Sequence, residues 1–391
     1  MREETLTRAL RRYDASPHLV FWETTKACPL ACRHCRASAQ CDPLPEELST
    51  REGLALLDQV AALPGQTPIV VFTGGDCLAR ADIFELIAYA RTRGLRVGVA
   101  PSVSDALDEA TISRLYDAGV RAVSISLDGA GPASHDGLRG IPGHFDATIA
   151  TLRTLVRRGF RVQVNTTVTS TNVTEMADVA VTLRDLGVKI WEVFFLVGVG
   201  RGVQVSEVSA WDAEDVCHFL VDASAGGLTV RTVEAPFFRR VQAERARLDE
   251  DPGAPVERGA LYEFLRERLD AHGWDRSRPA ASNSLATGDG RGVIFVGHDG
   301  EVHASGFLPL ALGNVRDEPL GSIYAMGDLL TRLRSGALTG VCGECEYRRL
   351  CGGSRARAYA HSRDPLGDDP SCVRTHRASL TLSRRAPVAT A

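Results

Sequence analysis

Residues 19–35 read Leu19-Val-Phe-Trp22-Glu-Thr-Thr-Lys26-Ala-Cys28-Pro-Leu-Ala-Cys32-Arg-His34-Cys35. An apolar run, Leu19 to Trp22, leads straight into three cysteines spaced C-x3-C-x2-C. A short apolar run bounded by polar residues is a buried strand. Beyond it, helix and strand patterns alternate. Ser49 and Glu52 form a capping box ahead of a helix carrying Leu54, Leu57 and Val60. Pro68 to Phe72 is the next strand, ending at Thr73-Gly74-Gly75-Asp76. Asp82 opens a helix through Arg93, and Leu95 to Ala100 is a third strand. Helices near Asp108 to Ala118, Phe145 to Arg158 and Thr174 to Leu186 alternate with strands Ala122 to Leu127, Val162 to Val168 and Ile190 to Val197. Regular alternation of this kind builds a parallel sheet covered by helices. Six units predict an α/β fold, a partial (β/α)6 TIM-like barrel.

Polar and glycine-rich residues recur just after these strands: Cys28 to Cys35, Thr73 to Asp76, Ser102, Asp128 with Gly129, and Gly198 to Gly202. In parallel α/β folds that edge carries the active site. The first cysteines, the Gly-Gly-Asp turn and the Asp128 turn are therefore expected at one mouth.

The remainder has a different character. Helical patterns at Asp212 to Leu220 and Gly259 to Leu269 flank the loop Asp249 to Pro255. This predicts a helical connector over 206–284. From 285 to 376 the pattern is strand, turn, strand (Val293 to Val296, His298 to Gly300, Val302 to Ala304), then four cysteines. That is a small cluster-binding domain. An N-terminal extension at 1–16 and a tail at 377–391 complete the division.

The whole chain has 391 residues, with 44% apolar and 24% charged. That is ordinary globular composition and excludes a disordered chain. The net charge of −4 gives no basic footprint for nucleic acid. No apolar run approaches the roughly 20 residues of a membrane span, and the first residues lack a signal-peptide core. A cytoplasmic enzyme acting away from membranes and nucleic acid is the expectation.

Ten cysteines in such a compartment point to metal, not disulfides. Cys28, Cys32 and Cys35 supply three thiolates. Three thiolates on a four-iron cube leave one iron open, which suits catalysis. Cys41 lies six residues on, and a zinc knuckle completed by His34 is the competing reading. Cys342, Cys345, Cys351 and Cys372 supply four, enough for one iron–sulfur cluster or a tetrahedral zinc. Cys41, Cys77 and Cys217 remain over, and each reads as a small buried apolar residue. Cys77 also comes directly after the Gly-Gly-Asp turn, which makes it a candidate active-site thiol.

These segments resemble a known family. Cys28 to Cys35 after the first strand is similar to the radical S-adenosylmethionine (SAM) signature. Phe72-Thr-Gly-Gly-Asp76 is similar to the family's Gly-Gly-Glu turn. Ser124-Ile-Ser-Leu-Asp-Gly129, Arg139 to Gly143 and Cys342-Gly-Glu-Cys-Glu-Tyr-Arg-Arg-Leu-Cys351-Gly-Gly resemble its SPASM branch. Cys351 to Tyr359 and Gly367 to Cys372 resemble enzymes of alternative heme and d-type heme biosynthesis, which alter propionate side chains of tetrapyrroles.

The resemblance implies a [4Fe-4S] cluster on Cys28, Cys32 and Cys35, with SAM chelating its open iron. One electron from a donor such as flavodoxin or ferredoxin then cleaves SAM to methionine and a 5′-deoxyadenosyl radical, which abstracts hydrogen from substrate. It implies one auxiliary iron–sulfur cluster of a SPASM/twitch-like domain on Cys342, Cys345, Cys351 and Cys372, because residues 285 to 341 hold no further cysteine. For SAM it implies Gly74 and Gly75 as a close backbone approach and Asp76 as acceptor from the ammonium group. His34 and Leu196 would lie along adenine. Ser102, Ser126, Asp128 and Asn165 sit at or near strand ends, where ribose and the methionine carboxylate are held. Arg139 would pair with that carboxylate, and Arg355 and Arg357 with substrate carboxylates. A tetrapyrrole side chain or other small metabolite is the expected substrate. A ribosomal-peptide maturase is the alternative, and a non-catalytic iron–sulfur or zinc scaffold is the reading of another class.

Overall fold

A computed structural model describes residues 12–250, 257–277 and 287–378. Most of the 1–16 extension, the 377–391 tail and the loop Asp249 to Pro255 lie outside the described residues. Ten strands form one sheet: β1 (Leu19–Glu23), β2 (Ile69–Thr73), β3 (Arg96–Val99), β4 (Ala122–Ser126), β5 (Arg161–Val168), β6 (Ile190–Phe195), β7 (Thr229–Val233), β8 (Val293–Val296), β9 (Glu301–His303) and β10 (Ala311–Asn314). Their order is β10-β9-β8-β1-β2-β3-β4-β5-β6-β7. From β8 through β7 every pairing is parallel, and β9 and β10 add an antiparallel end.

The six β/α units read from the sequence are all present, and the sheet runs one parallel strand beyond them on each side. The stretch expected to be a helical connector contains β7, paired in parallel with β6. The cluster domain contributes β8, paired in parallel with β1. β7 escapes a hydrophobicity reading because Thr229-Val-Arg-Thr-Val233 is short, and all five residues are only half buried. Among the described residues no helix is long and apolar enough to cross a membrane.

Alternation along the strands separates two environments. Val20 and Trp22 point outward to the helices and are fully buried. The helix Thr50–Ala61 packs on them through Leu56, Leu57 and Val60, each contributing about 1.5–3 kcal/mol by leaving water. Its Ser49–Glu52 capping box forms as read. Gly53 of that helix lies where a Cβ would come within 2.6 Å of the Trp22 ring.

The other parity faces inward and stays half-exposed: Leu19 and Phe21, Val71 and Thr73, Ser124 and Ser126, Gln163 and Asn165, Glu192 and Phe194. A closed TIM barrel fills its interior with branched apolar side chains. Here many inward residues are small or polar, and a cavity of about 490 Å³ runs through the interior.

Candidate active site

The cavity opens at the C-terminal ends of the parallel strands and reaches Cys351 and Gly353 at the β7–β8 side. At the mouth lies the three-cysteine loop. Cys28 is tied to Gln40 by a backbone hydrogen bond of 2.7 Å. Its sulfur accepts from the Leu30 N–H at 3.4 Å and lies 3.6 Å from Ser102 Oγ. The Cys32 sulfur accepts from Arg139 Nη1 at 3.6 Å. Donors aimed at sulfur favour thiolate ligands.

The Gly-Gly-Asp turn is stitched to the chain leading into this loop. Gly75 N–H donates to the Thr25 carbonyl and Asp76 N–H to the Ala27 carbonyl, both at 2.7 Å. A Cβ on Gly75 would stand 2.3 Å from the Ala27 carbonyl oxygen, and one on Gly74 2.7 Å from that of Thr25. The side-chain space these glycines leave open is thus used by the protein's own backbone, while both also line the cavity.

Asp76 differs from its expected role. It is fully buried, and its carboxylate accepts from Leu78 N, Ser102 N and Ser104 Oγ at 3.1 to 3.2 Å. Burial pushes its pKa up against those donors. Asp76 holds the loop after β3 and is not part of the cavity wall.

Asp128 is the electrostatic centre behind the cysteines. It is fully buried, with Oδ2 2.6 Å from Arg139 Nη2 and 3.3 Å from His34 Nε2. Its Oδ1 accepts from the Thr167 N–H at 2.7 Å. Burial alone would raise its pKa; Arg139 first, then His34 and His135, outweigh that and hold it at about 2. Arg139 ends the helix Pro132–Arg139, capped by Gly140 at φ 75°, where a left-handed residue favours glycine. The expected bidentate grip of Arg139 on a ligand carboxylate is not what the fold arranges, because its terminal nitrogens already face Asp128 and Cys32. His34 turns toward Asp128 and away from the cavity wall, and burial lowers its pKa.

Ser102, Ser126, Arg139 and Asn165 all line the cavity, with Ser126 and Asn165 register partners on β4 and β5. Asn165 accepts from Gln163 Nε2 at 2.8 Å. Leu196 packs beneath Gly202, and its carbonyl accepts from Arg357 at 3.1 Å; it does not reach the cavity. Cys77 and Cys217 are buried in the apolar core, and Cys41 is exposed. Burial raises the Cys77 thiol pKa far above its ordinary value, which keeps it protonated and inert.

Three features escaped the sequence reading. Arg201, in the turn after β6, clasps the cysteine loop: its N–H donates to the Cys35 carbonyl, Nε to that of Cys32 and Nη1 to that of Ala39, each at 2.9 Å. A Cβ on the preceding Gly200 would lie 2.3 Å from the Arg36 carbonyl oxygen. Second, Asp128 N–H donates to His135 Nδ1 at 3.0 Å, His135 Nε2 meets His144 Nδ1 at 2.8 Å, and His144 Nε2 meets the Val103 carbonyl at 3.0 Å. That chain fixes one tautomer for each neutral ring. Third, Arg36 stacks over Phe295 at 4.5 Å, joining the cysteine loop to β8. The glycine-rich spelling of 198–202 is the only local signal for any of these.

The second cysteine set is assembled too. Cys342, Cys345, Cys351 and Cys372 line one small cavity with Arg240. Gly353 N–H donates to the Cys351 sulfur at 3.3 Å, and guanidiniums of Arg355 and Arg374 lie 3.9 Å from the Cys342 and Cys345 sulfurs. Arg355 is otherwise held by the carbonyls of Gly353, Pro365 and Gly367. Arg357 is buried against Glu207 and Asp369 and against the carbonyls of Phe195, Leu196 and Glu234. Both were expected to meet substrate; Arg357 instead rivets the barrel to the cluster domain. Among the described residues no three His, Cys, Asp or Glu side chains converge tightly enough for a single metal ion.

Comparison with known proteins adds a second line. The sequence profile of the radical SAM superfamily matches residues 22–186. AdoMet-dependent heme synthase of Nitratidesulfovibrio vulgaris is 36% identical over 365 residues, 92% of this chain and 93% of that protein. AdoMet-dependent heme synthase of Methanosarcina barkeri is 33% identical over 360 residues, 92% of this chain and 97% of that protein. Among solved structures, Streptococcus suis SuiB bound to precursor peptide SuiA is similar with a TM-score of 0.65 and 13% identity, covering 94% of this chain and 79% of that one. Native anSMEcpe with bound AdoMet gives a TM-score of 0.61 and 16% identity, over 94% of this chain and 97% of that one.

Proposed function

This chain belongs to the radical SAM superfamily, and from that premise we propose that it acts on a side chain of a carboxylated tetrapyrrole. It is an enzyme of SAM and a [4Fe-4S] cluster, soft thiolates being the ligands such a cluster takes. When bound, that pair supplies a 5′-deoxyadenosyl radical able to abstract hydrogen from an unactivated carbon. Cys28, Cys32 and Cys35 hold the cluster, and Gly74, Gly75, Ser102, Ser126 and Asn165 receive SAM along the cavity wall.

The observation that carries the substrate reading is the hollow barrel. About 490 Å³ of interior space, within the range of small-molecule sites, continues from the Ser102 mouth to the loop of Cys351. A bulky planar substrate can lie between the two cysteine sets. The heme-synthase relatives match across nearly the whole chain, cluster domain included. The protein's own part is to orient the substrate and exclude water from a reactive radical. Cys342, Cys345, Cys351 and Cys372 hold one auxiliary iron–sulfur cluster, placed to exchange electrons at the far end of the cavity. A reductant of flavodoxin or ferredoxin type completes the system.

The test is turnover. Protein reconstituted without oxygen is given SAM, dithionite and a propionate-bearing tetrapyrrole, and the products are weighed by mass spectrometry. A tetrapyrrole with altered side-chain mass, formed together with 5′-deoxyadenosine, is expected. Deoxyadenosine whose yield is indifferent to tetrapyrroles, with no change in their mass, would overturn the substrate reading.

A further inference from the structure

The cavity changes character along its length. Around Ser102 and Ser126 its wall is mostly small and polar, and the Arg139 guanidinium there is paired with Asp128. At the β7–β8 seam it is crowded with guanidiniums: Arg231, Arg239, Arg291 and Arg348 all line it. Among the described residues none of the four forms an ion pair with a carboxylate. Arg231, Arg239 and Arg291 are half-buried, where unpaired charge is costly unless something compensates it, and Arg348 is exposed at the cavity's rim.

Two of the four are held by carbonyls. Arg239 donates to the carbonyls of Leu350 and Thr287. Arg291 donates to those of Leu333, Arg334 and Arg349. Both grip the turn that ends at Cys351 and add positive charge beside it. Burial, then the neighbouring Arg239, lowers the pKa of Arg291 to about 10. Two acids, Glu234 and Asp289, line the same seam, and burial raises the pKa of both, against the attraction between Asp289 and the guanidiniums of Arg239 and Arg355. Glu234 also accepts from Ser354.

The guanidiniums of the other two have no hydrogen-bonded partner among the described residues. Arg348 lies in the turn between Cys345 and Cys351, and its side chain borders both the main cavity and the four-cysteine cavity. Arg231 sits on β7 opposite Glu192 in register. Glu192 accepts from Gln163 Nε2 at 2.8 Å and lies beyond ion-pair distance of Arg231, although the Arg231 charge still favours its carboxylate; Arg231 keeps a buried Nε without an acceptor. A free guanidinium in a cavity matches a carboxylate in shape and charge.

We propose that Arg231 and Arg348 seat peripheral carboxylates of the substrate at the seam, which orients the macrocycle with its reacting side chain toward Ser102 and the three-cysteine mouth. This rests on the tetrapyrrole reading above and adds the residues that set the substrate's direction. Arg239 and Arg291 supply the background field, and Arg231 and Arg348 supply the contacts.

The experiment is a binding measurement on the full reconstituted chain, without SAM or reductant. Coproporphyrin III, a tetracarboxylate, and its neutral tetraamide are compared by equilibrium dialysis. The acid is expected to bind at least about tenfold tighter than the amide, with the advantage shrinking as salt rises. Arg231→Gln and Arg348→Gln are each expected to weaken the acid about tenfold and leave the amide unchanged. Arg→Lys at either position recovers part of the loss. Neither side chain holds the fold, so the unfolding midpoint and iron content stay at wild-type values. Equal affinity for acid and amide, or acid binding indifferent to both substitutions, would overturn the proposal while leaving the tetrapyrrole reading standing. Failure of the wild type to bind either form would overturn the tetrapyrrole reading and this proposal with it.

Discussion

Asp128 serves five neighbours with one residue. Its carboxylate answers Arg139, His34 and the Thr167 amide, its carbonyl accepts from Asn172 Nδ2, and its own N–H starts the His135–His144 chain. Removing its charge leaves the Arg139 guanidinium buried with no carboxylate beside it. Asp128→Asn is therefore expected to cost about 3–5 kcal/mol in urea unfolding, and Asp128→Asn with Arg139→Gln less than the single change. A single-variant loss below about 1 kcal/mol would contradict this. The histidines make a pH prediction with a definite sign. Burial lowers His135 from 6.5 to about 4, so its folded form binds fewer protons than the unfolded chain. Its contribution is complete above pH 6.5 and drains away as pH falls toward 4. The unfolding midpoint of wild type should drop over that window more steeply than that of His135→Gln. At this scale the sequence made the cysteines and the Asp128 turn legible through local spacing. The roles of Asp76, His34 and Arg139 were not legible, because what fixes each is a partner on another element, Ser102 for Asp76 and Asp128 for His34 and Arg139, or the loss of water around it.

Elements tell a similar story of local signals read and distant ones missed. The capping box of the helix Thr50–Ala61 and five strand–turn edges are written in neighbouring residues. β7 is not: all five of its residues are half-buried and Val230 to Val233 all border the cavity, so parallel pairing with β6, not hydrophobicity, makes it a strand. The turn Gly200–Gln204 is likewise defined by what it touches. Arg201 there donates to three carbonyls of the cysteine loop. Arg201→Gln is expected to loosen that loop and lower the iron held at Cys28, Cys32 and Cys35. Iron at Cys342, Cys345, Cys351 and Cys372 should be unaffected. Iron analysis on single-site cysteine knockouts carrying the change separates the two, and equal loss at both sites would show a general folding defect instead.

Taken whole, the molecule is a parallel barrel-like sheet whose last strands come from the cluster domain. Arg357 holds the two parts in register, reaching the ends of β6 and β7 from the helix Arg355–Ser362. Arg357→Met should lower the unfolding midpoint and reduce iron at the auxiliary cysteines, although Arg357 touches none of them; unchanged auxiliary iron would show that the two parts hold without it. One cavity runs from Ser102 and Arg139, which touch the Cys28 and Cys32 sulfurs, to Cys351 of the second set. The central claim is that the mouth performs radical SAM chemistry. Its most direct test uses protein reconstituted without oxygen, given dithionite and SAM, with 5′-deoxyadenosine quantified by mass spectrometry beside a Cys28/Cys32/Cys35→Ala triple variant. The account predicts deoxyadenosine from the wild type and none from the variant. Equal yields from both, or none from a wild type whose first cluster is filled and whose substrate is present, would contradict it.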